Sequence, residues 1–285
     1  MIVYQCEDSM ESIFTAIYRA YEEKSRPEDT KVSLTDELLL FAESVPVETD
    51  MEKAQKVART LRKTFGEDDY FRICMALASS DPEKGQAVYR TIALGLRNRC
   101  RAGHLFDDLA DEHIQHAFSL ARGASREYDH LRGFLRFQEM DEDRILYAKI
   151  GPKNNIMEFL MSHFADRFPG ENFMIYDENR DLVGIHPTER QRRKREDVPW
   201  MEGVVQAPWQ DEVTWYLLQC EGDLEQFSEL KLSDRELAYQ ELFTYFCHKI
   251  AIRERRNLEL QRNMLPLRFR EYMTEFQREV SRMKC

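Results

Sequence analysis

GFLRFQEMDEDRILYAKIGPKNNIMEFLMSHFADRFPGENFMIYDENRDLVGIHP, Gly133 to Pro187, decides the fold. It holds four short runs, GFLRFQEM, RILYAKIG, ENFMIYDE and LVGIHP, rich in the aromatic and β-branched residues that pack well on a pleated surface. DEDR and ENRD have the composition of hairpin turns. Between the hairpins, NIMEFLMSHFADRF repeats its apolar residues at helical spacing. The order strand, strand, helix, strand, strand implies an antiparallel sheet covered on one face by helices, and IVYQCE near the start of the chain is a candidate to join it.

N-terminal to this stretch the pattern is helical. IVYQCE leads into SMESIFTAIYRAYEEK, where Ile13, Phe14, Ile17, Tyr18 and Tyr21 share one helical face before Pro27 ends the run. LLLFAESVPVET fits one or two short strands. Asp50 then caps a helical region reaching about Leu131, in which Asp81-Pro82 opens a further helix and polar or glycine-containing joints separate apolar stripes. No repeat period is present, so this reads as one bundle. After Pro187 a basic loop passes Pro199 and Pro208 into further helices from about Asp211, Ser233 and Asn263. The expected class is α+β, largely helical, with a central antiparallel sheet of about four to six strands. Residues 1–198 form an α+β domain with a helical insertion at about 50–131, and 199–285 a C-terminal helical region packed on it.

Composition narrows the function. With 285 residues, 42% of them hydrophobic, the chain can bury a sizeable core. A mean hydropathy of −0.62 and the absence of any apolar run near 20 residues argue against a membrane protein. MIVYQCEDSM has no basic segment followed by a long apolar one, so the cytoplasm is the expected location. The six cysteines are scattered, with no Cys-x-x-Cys pair, and read as reduced structural thiols. The 41 basic and 52 acidic residues leave a formal charge of −11, so any nucleic-acid site must be local. Two basic islands qualify: the segment from Lys249 onward, and RQRRKR at 190–195, where Arg192, Arg193 and Lys194 are candidate phosphate contacts. No Walker A motif, dinucleotide-binding glycine pattern, Gly-x-Ser-x-Gly elbow or His-Glu-x-x-His pair is present.

The chemistry-bearing residues gather where helix is expected to meet strand, in SREYDHLRGFLRFQEM. Glu127 and His130, three apart on a helix, share a face, so the carboxylate is placed to orient the imidazole for proton transfer. The competing reading is that both satisfy buried polar groups at a helix end. Adding Glu112, His113 and His116 gives a metal-binding version, but the paired Glu-x-x-His units of a dinuclear bundle site are missing and no metal is assigned. Arg136, among Phe134, Leu135 and Phe137, and Arg167, between Phe164 and Phe168, are arginines beside aromatics, suited either to gripping phosphate or to covering apolar surface. Strand alternation would put Leu135 and Phe137 on one face and Phe134 and Arg136 on the other.

These motifs carry a resemblance. Arg126, Glu127 and His130 followed by Phe134, Arg136 and Phe137, then Phe164, Arg167 and Phe168, then Met264, Pro266 and Phe269, resemble recurrent elements of a bacterial family described in terms of DNA metabolism or DNA repair and built on a domain of unknown function. The similarity runs over nearly the whole chain. Departures are Tyr147 or Lys149 where fused relatives tend to have tryptophan, and Phe269 where many have tyrosine. Domains of this family are also found fused to uracil-DNA-glycosylase-like, uracil-DNA-binding proteins, and stand-alone members look paired with a radical-SAM protein of DNA repair. The resemblance implies a process without a catalytic assignment or a cofactor.

Three functions are compatible with these readings. One is an accessory protein of DNA repair or metabolism that binds damaged or modified DNA, or a nucleotide, through Arg136, Arg167 and the basic loop, with His130 contacting a base or moving a proton and Glu127 orienting it. Another is a module that docks a radical-SAM enzyme. The last is an enzyme, metal-assisted or not, acting on a nucleic-acid component.

Overall fold

The computed structural model describes residues 1–35, 41–140, 145–189, 214–220, 232–250 and 257–276. The chain divides into two compact units: Met1–Glu127 with Lys153–Ile156, and Tyr128–Pro152 with Met157–Cys285. The expected domain boundary at 198/199 lies outside the described residues, as do the DEDR turn, Pro199, Pro208 and the RQRRKR segment with Arg192, Arg193 and Lys194.

The first unit opens with β1 (Ile2–Gln5) and α1 (Met10–Glu22), followed by β2 (Thr30–Ser33) and β3 (Glu43–Pro46). The strands form a parallel sheet of their own in the order β2-β1-β3, so the first strand does not join the central sheet. β1 and β2 run parallel because α1 joins them, and a strand that leaves through a helix returns to the same end of the sheet. Ser9 caps α1 by accepting from the Ser12 N–H at 3.1 Å, and the face carrying Ile13, Phe14 and Ile17 is buried as its spacing predicts.

The two helical segments that read separately in the sequence are two helices meeting at Gly66, together α2 (Met51–Leu77), capped by Asp50 and interrupted at Gly66. Gly66 has φ +83°, a conformation glycine adopts without steric cost. α3 (Lys84–Arg97) and α4 (Glu112–Phe134) complete the helices of this region. α3 carries Gly95, where a Cβ would collide with Leu105 Cδ1 and touch the Phe65 ring at 3.0 Å. Gly95→Val is therefore expected to cost about 1–3 kcal/mol by overpacking, read as a lower denaturant midpoint with an unchanged m-value. The division between the units falls within α4, between Glu127 and Tyr128.

The second unit is built on a five-stranded sheet, β4 (Gln138–Glu139), β5 (Leu146–Ile150), β6 (Phe173–Asp177), β7 (Leu182–His186) and β8 (Tyr216–Gln219), in that spatial order. The α+β class holds, but the sheet is mixed where a purely antiparallel one is expected. β4–β5, β6–β7 and β7–β8 are antiparallel, whereas β5 and β6 run parallel, with Leu146 opposite Phe173 and Ile150 opposite Asp177. The reason is α5 (Met157–Arg167): a helical crossover between β5 and β6 brings the chain back to the end of the sheet at which β5 began. Against the sheet α5 buries Met157, Leu160, Met161 and Phe164, and Gly184 leaves the space that the Met161 side chain occupies.

Two further expectations change. α4 continues through Phe134, and Leu135 donates its N–H to the Leu131 carbonyl at 2.9 Å, so 134–137 is not strand and only Gln138–Glu139 pairs. The helix expected from about Asp211 is replaced, in its described part, by β8, whose Tyr216 is buried beside Trp215. Beyond it lie α6 (Asp234–Ile250), α7 (Leu258–Met264) and α8 (Leu267–Arg270). Cys6, Cys74, Cys100, Cys220 and Cys247 are free thiols, and burial pushes that of Cys6 up to about 12. Among the described residues no helix is long and apolar enough to cross a membrane.

Candidate functional site

Glu127 belongs to the first unit, whereas His130, Arg136 and Arg167 belong to the second. Glu127 is 2% exposed, and its carboxylate accepts the backbone N–H groups of Lys153 and Asn154 at 3.0 and 2.8 Å and the Asn154 side-chain amide at 2.7 Å. Asn154 in turn accepts from the Ser80 N–H at 3.2 Å, and Asn155 donates to the Ala78 carbonyl at 2.7 Å. The acid latches residues 153–156 into the first unit, as a buried polar group at a helix–loop contact does. His130 is held by rings, lying 5.8 Å from Phe134 and 5.6 Å from Phe269, and its Nδ1 has no hydrogen-bond partner among the described residues.

The aromatic members of the sequence motifs meet in the second unit and form its packing. Phe137 stands edge-on to Phe164 at 5.2 Å, Phe168 at 5.9 Å and Phe173 at 5.4 Å, while Phe269 sits on His130 and Phe134. Arg136 is largely taken up: it donates to Glu275 at 2.9 Å and to the Gly133 and Leu135 carbonyls at 3.1 and 3.3 Å. Arg167 is different. It is exposed at the end of α5, with its guanidinium 5.6 Å from the Phe168 ring centre.

Arg167 has neighbours that the sequence did not single out for it. His163 lies one turn earlier on α5, and its ring meets Tyr128 of α4 edge-on at 6.5 Å. Over the same tyrosine stands Arg132, its guanidinium 5.2 Å from the ring centre, and Phe159 touches that ring at 6.2 Å. Burial, and then the charges of Arg132 and Arg167, hold the His163 pKa below the ordinary imidazole value, with Asp166 opposing them. Two guanidiniums from different helices thus act on one imidazole. Arg132 also pairs with Asp129 at 3.4 Å, an exposed contact that a stronger anion can displace. Planar guanidiniums over aromatic faces present donors to phosphate or carboxylate while leaving ring surface for stacking. A scan of α5 for cations four residues apart pairs His163 with Arg167, but their convergence with Arg132 requires α4 and α5 to be packed together.

Glu112 lies 3.7 Å from His113, and His116 lies 3.5 Å from Asp81. Among the described residues no three His, Cys, Asp or Glu side chains gather to hold a metal ion.

No curated protein matches the chain. A family described as a domain of unknown function, DUF4130, matches residues 82–275, a span that contains α3 to α8 and every aromatic motif packed in the second unit. Since that span covers more than half of the sequence, the chain belongs to the DUF4130 family.

Proposed function

We propose that this protein is an accessory factor of DNA repair or DNA metabolism, acting in the cytoplasm, that holds the phosphates of damaged or modified DNA, or of a nucleotide, through Arg132 and Arg167. The observation that supports the reading is the placing of these two guanidiniums, Arg132 over the Tyr128 ring that His163 meets edge-on and Arg167 over Phe168 one turn beyond His163, in a chain whose overall charge is −11. An acidic protein repels nucleic acid at long range, so contact has to be made by a local patch of this kind. The test is a salt titration of binding to single-stranded, duplex and uracil-containing DNA. Arg132→Gln and Arg167→Gln are each expected to reduce the log–log salt slope by about 0.7 on single strands, with the folded content unchanged by circular dichroism. No binding to any of the three at low salt would reject the reading.

A second reading, a module docking a radical-SAM repair enzyme, is favoured by α6. Leu242, Tyr245 and Phe246 there are 61%, 61% and 53% exposed, and an apolar surface of that kind suits a protein partner. Co-purification of that enzyme, surviving nuclease treatment and lost in Leu242→Glu, separates it from the first.

A further inference from the structure

We propose that the patch formed by Arg132, His163 and Arg167 takes a phosphate monoester, the phosphorylated end of a nucleic-acid strand, in preference to the diesters of the strand interior. This inference rests on the reading of the patch as a phosphate contact and narrows it to one kind of phosphate.

Charge matching is the first argument. Arg132 stands over Tyr128, the ring that His163 meets edge-on, and Arg167 lies one turn beyond His163 on α5, so two fixed positive charges flank one imidazole, and His163 adds a third by taking a proton. A phosphodiester supplies one negative charge and two free oxygens, whereas a monoester near neutral pH supplies between one and a half and two charges and three acceptor oxygens. Only the monoester offers an oxygen to each of three donors, and Arg132 and Arg167 stand on different helices.

The rings supply the second argument. Tyr128 and Phe159 are half-buried beside the cations and 6.2 Å apart. The last base of a strand has one face without a stacking neighbour, so a ring beside the phosphate pocket favours an end over an interior position.

Proton linkage then follows. The groups facing His163 are Tyr128 and Arg132 from α4, the latter paired with Asp129, and Arg167 and Asp166 from its own helix. Burial, and then the two arginines, disfavour the protonated form of free His163. A dianion bound among them reverses the effect of their charges, so binding takes up a proton where both His163 and the free monoester, with its second pKa of about 6, are deprotonated. Affinity for a phosphorylated end therefore rises as the pH falls from about 8 toward about 6.5, by up to about tenfold for each unit gained by the His163 pKa.

The experiment compares short oligothymidylates that are identical except for a 5′-phosphate, a 3′-phosphate or hydroxyls at both ends, with inorganic phosphate as competitor, at both pH values. The expected result is about tenfold tighter binding of at least one phosphorylated strand at the lower pH, and a smaller gap at the higher. The preference should disappear in the Arg132→Gln, Arg167→Gln double variant, and His163→Gln should remove the gain in affinity at the lower pH. Equal binding of all three strands would overturn the inference and leave the phosphate-contact reading standing, while no binding of any strand would overturn both.

Discussion

Glu127→Ala is expected to destabilise the protein by about 3–5 kcal/mol, a change large enough to bring a marginally stable domain close to unfolding. The reason is the asymmetry between making a buried hydrogen bond and leaving one unmade. Alanine removes an acceptor that serves the Lys153 and Asn154 N–H groups and the Asn154 amide, and 2% exposure leaves little room for water to replace it. Each unpaired buried donor costs about 1–3 kcal/mol. Glu127→Gln should lie between, because its amide oxygen keeps one acceptor while its NH2 faces a donor. Denaturant unfolding followed by hydrogen exchange of residues 153–156 checks this: the amides of Lys153 and Asn154 should lose protection first. If Glu127 instead serves a ligand site, the alanine variant would keep wild-type stability and lose binding.

Phe137→Ala is expected to cost about 3 kcal/mol, the lower end for removing a phenylalanine from a core because the ring is only partly buried. Its edge contacts with Phe164, Phe168 and Phe173 join the connection after α4 to both α5 and β6, and each contributes about 0.5–1.5 kcal/mol beyond the area it buries. Phe137→Leu should lose mainly the aromatic part and cost roughly half as much. Thermal unfolding of the two variants gives the comparison. Because Phe164 and Phe168 flank Arg167, Phe137→Ala should also weaken phosphate binding without altering the charge of the patch. A loss of stability under about 0.5 kcal/mol would mean that the ring cluster does not hold α5.

Among the candidate residues, Arg167 is exposed at the end of α5, while Glu127 and Arg136 are engaged in internal hydrogen bonds and His130 lies against two rings. Their types at a helix end did not distinguish these uses, since a carboxylate that orients a histidine and one that accepts N–H groups from a distant loop have the same local sequence. Arg136 has its acid at Glu275, 139 residues away, and spacing along the chain carries no trace of that pair. Periodicity likewise misplaced the end of α4. Phe134, Leu135, Arg136 and Phe137 have strand composition, yet α4 runs through Phe134, whose ring there meets His130 and Phe269, and the Leu135 N–H still bonds back to Leu131.

Local pattern alone determined the α1 face, the Asp50 cap, the hairpin through Glu178–Asp181, the helix between the two hairpins and the α+β class, because capping, turn chemistry and apolar spacing act between residues a few positions apart. Only the tertiary structure decided that β1 pairs in a separate parallel sheet, that β5 and β6 run parallel, and that His163 meets the Tyr128 ring over which Arg132 stands. Strand pairing and side-chain convergence depend on which faces are buried against each other, and that is settled by packing between elements far apart in the chain.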